Sequence, residues 1–191
     1  MSINPTEFYE ELKLKGLDFF TGVPDSLLKE LCLCIEDNNI KNNHIIAANE
    51  GNAIAIASGY HLGTGKIPIV YMQNSGLGNA INPLLSLCDN KVYSIPLIMI
   101  IGWRGEPGIK DEPQHIKQGK IQVSLLKSMG IKSFIMDKNM LTASNIISSA
   151  INEAKSKNVP IALVIKKGTF SKYQISKQNT IAKNKDLMKT Y

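Results

Sequence analysis

The run IPLIMIIGW, residues 95–103, constrains the fold more than any other stretch of the chain. A strand with one face in water alternates apolar and polar side chains, and this run does not. As a strand it must be covered on both faces, which is the situation of a parallel sheet under two layers of helices. The rest of the chain supplies that material, because short apolar runs alternate with amphipathic stretches throughout.

The pattern predicts a helix over 5–15, with Pro5 and Thr6 near its start, and a strand over 18–24. A helix over 25–38 follows, then a short strand over 44–48. The stretch AANEGNAIAIASGYHLGTGK, 47–66, reads as a small-residue helix. Strands are expected over 67–73, 95–103, 132–137 and 160–167. A turn leading into a helix is expected over 74–90, helices over 120–130 and 142–158, and a Gly/Pro-punctuated loop over 104–118. The expectation is an α/β fold, a doubly wound and mostly parallel six-stranded sheet with helices on both faces. Residues 1–168 form that domain, and 169–191 read as a linker or extended arm.

Charge sharpens this division. Residues 166–191 hold seven Lys and one Asp, whereas residues 1–165 hold 15 basic and 15 acidic groups. The excess of +6 therefore belongs to the C-terminal segment, and the body offers no basic face for nucleic acid. Cys32, Cys34 and Cys88 lack the spacing of a metal or redox pair and read as reduced helix residues of a cytoplasmic protein. No signal-peptide h-region opens the sequence, and no apolar run reaches the ~20 residues that cross a membrane. No metal-ligand motif occurs, so no metal is assigned to these residues.

In a doubly wound sheet, ligands bind beyond the carboxyl ends of the strands. The loops at those ends carry TGVPD, NEGN, QNSGLGN and WRGEPG. Two nucleotide readings fail there. Gly76-Leu77-Gly78 lacks the third glycine, since position 81 is Ile, and Gly65-Lys66 closes a helix instead of opening one. Taken residue by residue, Glu50 is accounted for by a helix N-terminus behind an Asn49 N-cap. Asp25 can serve as an N-cap, and Arg104 can pair with Glu106. His115 lies in the 104–118 loop with Asp111, Glu112 and Lys117 near it in sequence, while His44 and His61 read as structural.

The segments FFTGVPDSLL, AANEGNA, VYMQNSGLGNAINPLLSL, IGWRGEPG and DEPQHIKQG, in that order, resemble the pyrimidine-binding domain of thiamine-diphosphate-dependent decarboxylases. Within that superfamily they are most similar to the phosphonopyruvate decarboxylase family. The resemblance covers about residues 5–170 and implies roles. Glu50 would contact N1′ of the cofactor's aminopyrimidine ring and favour its proton-shuttling imino form. Gly22, Val23, Pro24, Gln73, Asn74, Ser75 and Gly76 would line the ring. Asp25 and His115 would handle protons, and Arg104, with Asp25, His115 and Lys117, would meet the substrate. The small residues Gly51, Ala53, Ala55, Ala57 and Ser58 would let the 47–66 helix pack against a neighbour, in the family often a partner subunit.

The diphosphate and Mg²⁺ of such enzymes are held by a second half, whose Gly-Asp-Gly motif is not in this sequence. The resemblance thus implies an N-terminal fragment or one subunit of a split enzyme. It would be inactive without the diphosphate-binding domain or subunit, and would form a homo-oligomer acting on a small 2-oxo acid. The α subunits of sulfopyruvate decarboxylases are an alternative, and a non-catalytic homologue that binds a partner is another.

Overall fold

In the computed structural model, which describes residues 2–39 and 43–175, the apolar run forms strand β4 (Ile98–Gly102), with all five residues buried. Side chains alternate across a strand. Ile98 and Ile100 accordingly enter one core while Met99 and Ile101 enter the other. Both neighbours of β4 are parallel to it, β3 (Ile69–Gln73) on one side and β6 (Ile161–Ile165) on the other. With β1 (Phe20–Gly22), β2 (His44–Ile46) and β5 (Lys132–Ile135), the order is β2-β1-β3-β4-β6-β5, and every pairing is parallel.

One core lies between the sheet and helices α1 (Pro5–Leu14), α2 (Lys29–Asp37) and α6 (Met140–Lys157). The other lies beneath α3 (Glu50–Thr64), α4 (Leu77–Ser86) and α5 (Pro113–Ser128). Each fully buried Ile or Leu in these layers contributes about 1.5–3 kcal/mol relative to exposure. The expected doubly wound α/β architecture is therefore found.

Boundaries differ from the sequence expectations in two places that matter. The helix expected from 25 begins only at Lys29, because Asp25 Oδ2 accepts the N–H groups of Leu27 and Leu28 and holds 26–28 in a separate turn. The loop expected over 104–118 ends early, because α5 starts at Pro113. Pro suits the first helical position, where its missing N–H has no intrahelical partner anyway. His115 and Lys117 are consequently helical residues.

Residues 169–175, the first part of the segment expected as linker or arm, lie against the body. Thr169 is buried, Phe170 pairs with Ile3 in a parallel bridge, and its ring meets Phe8 edge-on at 5.1 Å. Tyr173 donates its N–H to Glu30 and its hydroxyl to Asp37 on α2. The rest of that segment, 176–191, lies outside the described residues. Among the described residues no helix is long and apolar enough to cross a membrane.

Candidate active site

The chain leaves β1 for β2 on one side and then returns to place β3 on the other, so the carboxyl ends of β1 and β3 form a switch point. Around it stand the turn after β1, the head of α3, the 3-10 turn Asn74–Gly76 after β3, and the loop after β4. Contacts join these four pieces into one arc.

Glu50 is the first residue of α3, behind an Asn49 N-cap whose side chain accepts from the Asn52 N–H at 3.0 Å. Capping is thus done by Asn49, and the Glu50 carboxylate is turned toward α4. Its Oε2 accepts from Asn79 Nδ2 at 2.8 Å. Its other oxygen lies against Gly76, where an added Cβ would come within 3.0 Å of Oε1, Cδ and Cγ. Glycine at 76 is therefore a condition for this carboxylate position. Among the described residues Oε1 accepts no hydrogen bond, and it faces the 3-10 turn.

Asp25 is 6 % exposed. Its Oδ2 caps the 26–28 turn, and its Oδ1 is buried with no partner. Burial raises its pKa, and the backbone N–H groups of Leu28 and Leu27 and the Arg104 charge only partly offset that. Gly102 at the end of β4 gives it room, since a Cβ there would come within 3.0 Å of Oδ2.

Arg104 does not pair with Glu106. Its guanidinium grips Asp111, with Nε donating to Oδ2 at 2.9 Å, while Glu106 pairs with Lys166 at 2.6 Å. The remaining nitrogen donates to Ser26 Oγ at 2.8 Å, which links this loop to the turn holding Asp25. The Arg104 side-chain bonds, and next the N–H groups of Gly105 and Glu112, hold the Asp111 carboxyl far below the usual carboxylate range. Asn74 joins the loops after β3 and β4: its amide donates to the Arg104 carbonyl at 2.8 Å and accepts the Arg104 N–H at 3.3 Å. The pair extends the β3–β4 ladder past its last register pair, Gln73 and Gly102. Gln73 Nε2 donates to Ser75 Oγ, and Gly22 and Val23 pack and bond on Tyr71 of β3, with Pro24 exposed beside them. A cavity of about 330 Å³ opens among Ser26, Leu27, Trp103, Arg104, Ile109 and Lys167.

His115 is half-buried near the start of α5, against Gly105, and its Nδ1 is buried without a partner. A Cβ at Gly105 would strike the His115 carbonyl and one at Gly119 the Gly105 carbonyl, so neither position has room for a side chain, and Trp103 Nε1 donates to the Gly119 carbonyl. Lys117 is exposed on α5, and no contact among the described residues joins it to the arc. Ala53, Ala57 and Ser58 pack into their own core, and Ala55 with Gly59 faces outward, so only part of the small-residue set is available to a neighbour. Cys32, Cys34 and Cys88 are free, and burial pushes the thiols of Cys32 and Cys34 up to about 12 and about 11.

Residues 6–129 match the family described as thiamine pyrophosphate enzyme, N-terminal TPP binding domain. The chain belongs to this family. Among relatives of this thiamine pyrophosphate enzyme domain, the phosphonopyruvate decarboxylase of Streptomyces viridochromogenes is 41% identical over 111 residues, 58% of this chain and 27% of that protein. The sulfopyruvate decarboxylase subunit alpha of Methanocaldococcus jannaschii is 36% identical over 158 residues, covering 82% of this chain and 89% of the subunit. The chain thus spans about a quarter of the phosphonopyruvate decarboxylases it matches and 77–90% of the sulfopyruvate α subunits. The benzoylformate decarboxylase structure from Polynucleobacter necessarius shares the fold, with a TM-score of 0.71 at 21% identity over 92% of this chain and 32% of that one.

The residues of this domain fit an aminopyrimidine. Among the described residues Glu50 Oε1 accepts no hydrogen bond, and Gly76 leaves the room that the carboxylate occupies. Among the described residues no group of His, Cys, Asp or Glu is arranged to hold a metal ion. Sequence reasoning missed Asn79, Gly102 and Ser26 as supports of the site. The signal for Gly102 was present, a glycine ending an unbroken apolar strand. Asn79 and Ser26 carry no pattern of their own.

Proposed function

We propose that the chain is the pyrimidine-binding half of a thiamine-diphosphate-dependent 2-oxo acid decarboxylase and acts with a diphosphate-binding domain or subunit that holds Mg²⁺. The observation that carries this reading is the Glu50–Gly76 pair, a carboxylate held by Asn79 and seated against a glycine at the switch point. Thiamine diphosphate, when bound, supplies the carbon nucleophile and the electron sink for loss of CO₂. Glu50 Oε1 would face the cofactor's ring nitrogen and favour its protonated form, while Asn79 fixes Oε2. Asp25, whose Oδ1 is unpartnered and whose pKa is raised, holds a proton for the reacting carbon. His115 is a second proton-handling group at the rim.

The substrate is a three-carbon 2-oxo acid with a second acid group, held by Arg104 and Ser26, with Asp111 keeping the guanidinium in place. The 41% identity to phosphonopyruvate decarboxylases supports a phosphonate at that position. The full-length match to sulfopyruvate α subunits supports a sulfonate instead and a two-chain enzyme. The outward Ala55–Gly59 stripe of α3 suits a homo-oligomeric contact, and the protein works in the cytoplasm.

The test mixes the chain with a diphosphate-binding half, Mg²⁺ and thiamine diphosphate, and follows CO₂ release from phosphonopyruvate, sulfopyruvate and pyruvate. Turnover is expected with one of the two diacids and with both halves present. Glu50→Gln should fold normally and lose at least about 100-fold in turnover. Turnover by the chain alone, or a near-normal Glu50→Gln enzyme, overturns the reading.

A further inference from the structure

On α5, His115, Gln118 and Gln122 follow one another at intervals of three and four residues and so share one face of the helix. Gln122 is 1 % exposed, yet neither its Oε1 nor its Nε2 has a hydrogen-bond partner, and the buried Oε1 of Gln118 has none either. These amides border a partly open cavity of about 160 Å³ between α5 and the start of α4, shared with Asn74, Ser75, Gly78 and Leu125. The neighbouring protein groups are committed elsewhere. The Asn74 amide serves the Arg104 backbone, and Ser75 Oγ receives the Gln73 amide.

A buried amide with both atoms unanswered is disfavoured against a leucine of similar size unless something in the cavity answers it. No charged side chain lines the space, so its occupant is neutral. The two amides between them donate and accept, so the occupant must do both. Water meets these conditions, and at about 30 Å³ per molecule in the liquid the cavity has room for several.

We propose that this cavity is a built hydration site, in which ordered waters held by Gln118 and Gln122 bridge α5 to the backbone of Asn74–Gly78. Gln122 is then a positioning residue for the turn that receives Glu50. The consequence for cofactor binding rests on the function proposed above, whereas the hydration does not.

Two substitutions in the complete protein separate this role from simple packing. Gln122→Leu keeps the volume and removes both polar atoms. Gln122→Asn keeps the amide and leaves a gap that one more water fills. Backbone hydrogen exchange at 74–78 should quicken about tenfold in the Leu variant and stay within about twofold in the Asn variant. A high-resolution crystal structure should show waters bonded to the Gln122 amide in the parent and Asn proteins and none in the Leu protein. If Gln122→Leu does not fold, Gln118→Leu carries the same comparison with Gln118→Asn. An empty parent cavity, an amide bonded to protein atoms, or a tolerated Leu with a perturbed Asn overturns the proposal. Thiamine diphosphate affinity should weaken with the faster exchange. If the waters and the exchange pattern are found but the parent protein, mixed with a diphosphate-binding half and Mg²⁺, binds no thiamine diphosphate, the hydration site stands and the proposed function falls.

Discussion

Gly76→Ala isolates the geometry of the Glu50 carboxylate. Gly76 has φ −70° and ψ −15°, a conformation alanine adopts freely, so the backbone carries no penalty. Alanine would even narrow the unfolded ensemble, a gain of about 0.4–1 kcal/mol. Its Cβ would come within 3.0 Å of Glu50 Oε1, whereas ordinary contact begins at 3.4 Å. The obstacle is the end of a flexible side chain, so the carboxylate withdraws by about 1 Å and the fold survives. Losing the Asn79 hydrogen bond costs about 1 kcal/mol, which nearly cancels the entropic gain. Stability should therefore change by less than about 1 kcal/mol, whereas a misplacement of about 1 Å at the reacting group costs about 100-fold in turnover. Thermal unfolding by circular dichroism and turnover of the complete enzyme measure the two sides. Gly78→Ala is the control, because nothing lies within 4 Å of its added Cβ. A Gly76→Ala enzyme within about threefold of the parent, or one that unfolds readily, would refute the reasoning.

Asp111→Ala should free Arg104 from its grip, raise KM for the diacid substrate more than it lowers kcat, and cost about 1 kcal/mol of stability. The folded pKa of Asp111 is depressed, so its contribution is present above about pH 4 and is lost as pH falls through the folded value, a slope the variant should lack in acid-titrated unfolding. Asp25 has the opposite sign. Its folded pKa is raised, so its contribution is full below about pH 4 and is lost as pH rises through the folded value. Asp25→Asn should then gain stability relative to the parent above that interval while turnover collapses, and a variant that follows the parent's pH profile would count against the buried-acid assignment.

The layered parallel architecture was legible because β4 has no alternation and because helices and strands alternate along the chain. The loops bearing the site were legible from the strand-end rule. Helix starts were less so. EPGIKDEP read as loop because Pro punctuates, whereas Pro113 in fact opens α5, and only the three-dimensional setting decides between the two uses. Asp25 disguised the start of α2 by supplying a cap to a turn instead of to the helix. Partner choice was the least legible. Glu106 is nearer to Arg104 in sequence than Asp111 is, but Lys166 from the next strand claims Glu106, and no local pattern announces a contact that a sheet creates.

Residues 3 and 170 meet in space, with the Ile3 N–H bonded to the Thr169 carbonyl and the Ser171 N–H to the Ile3 carbonyl. This pairing closes a loop as long as the domain itself. Closing a loop of that span is entropically costly while the chain is open, so the clasp depends on the intervening sheet to hold its two ends together. Phe170 follows Phe8 by nearly the whole domain, so their ring contact is made only once every strand of the sheet has been synthesised.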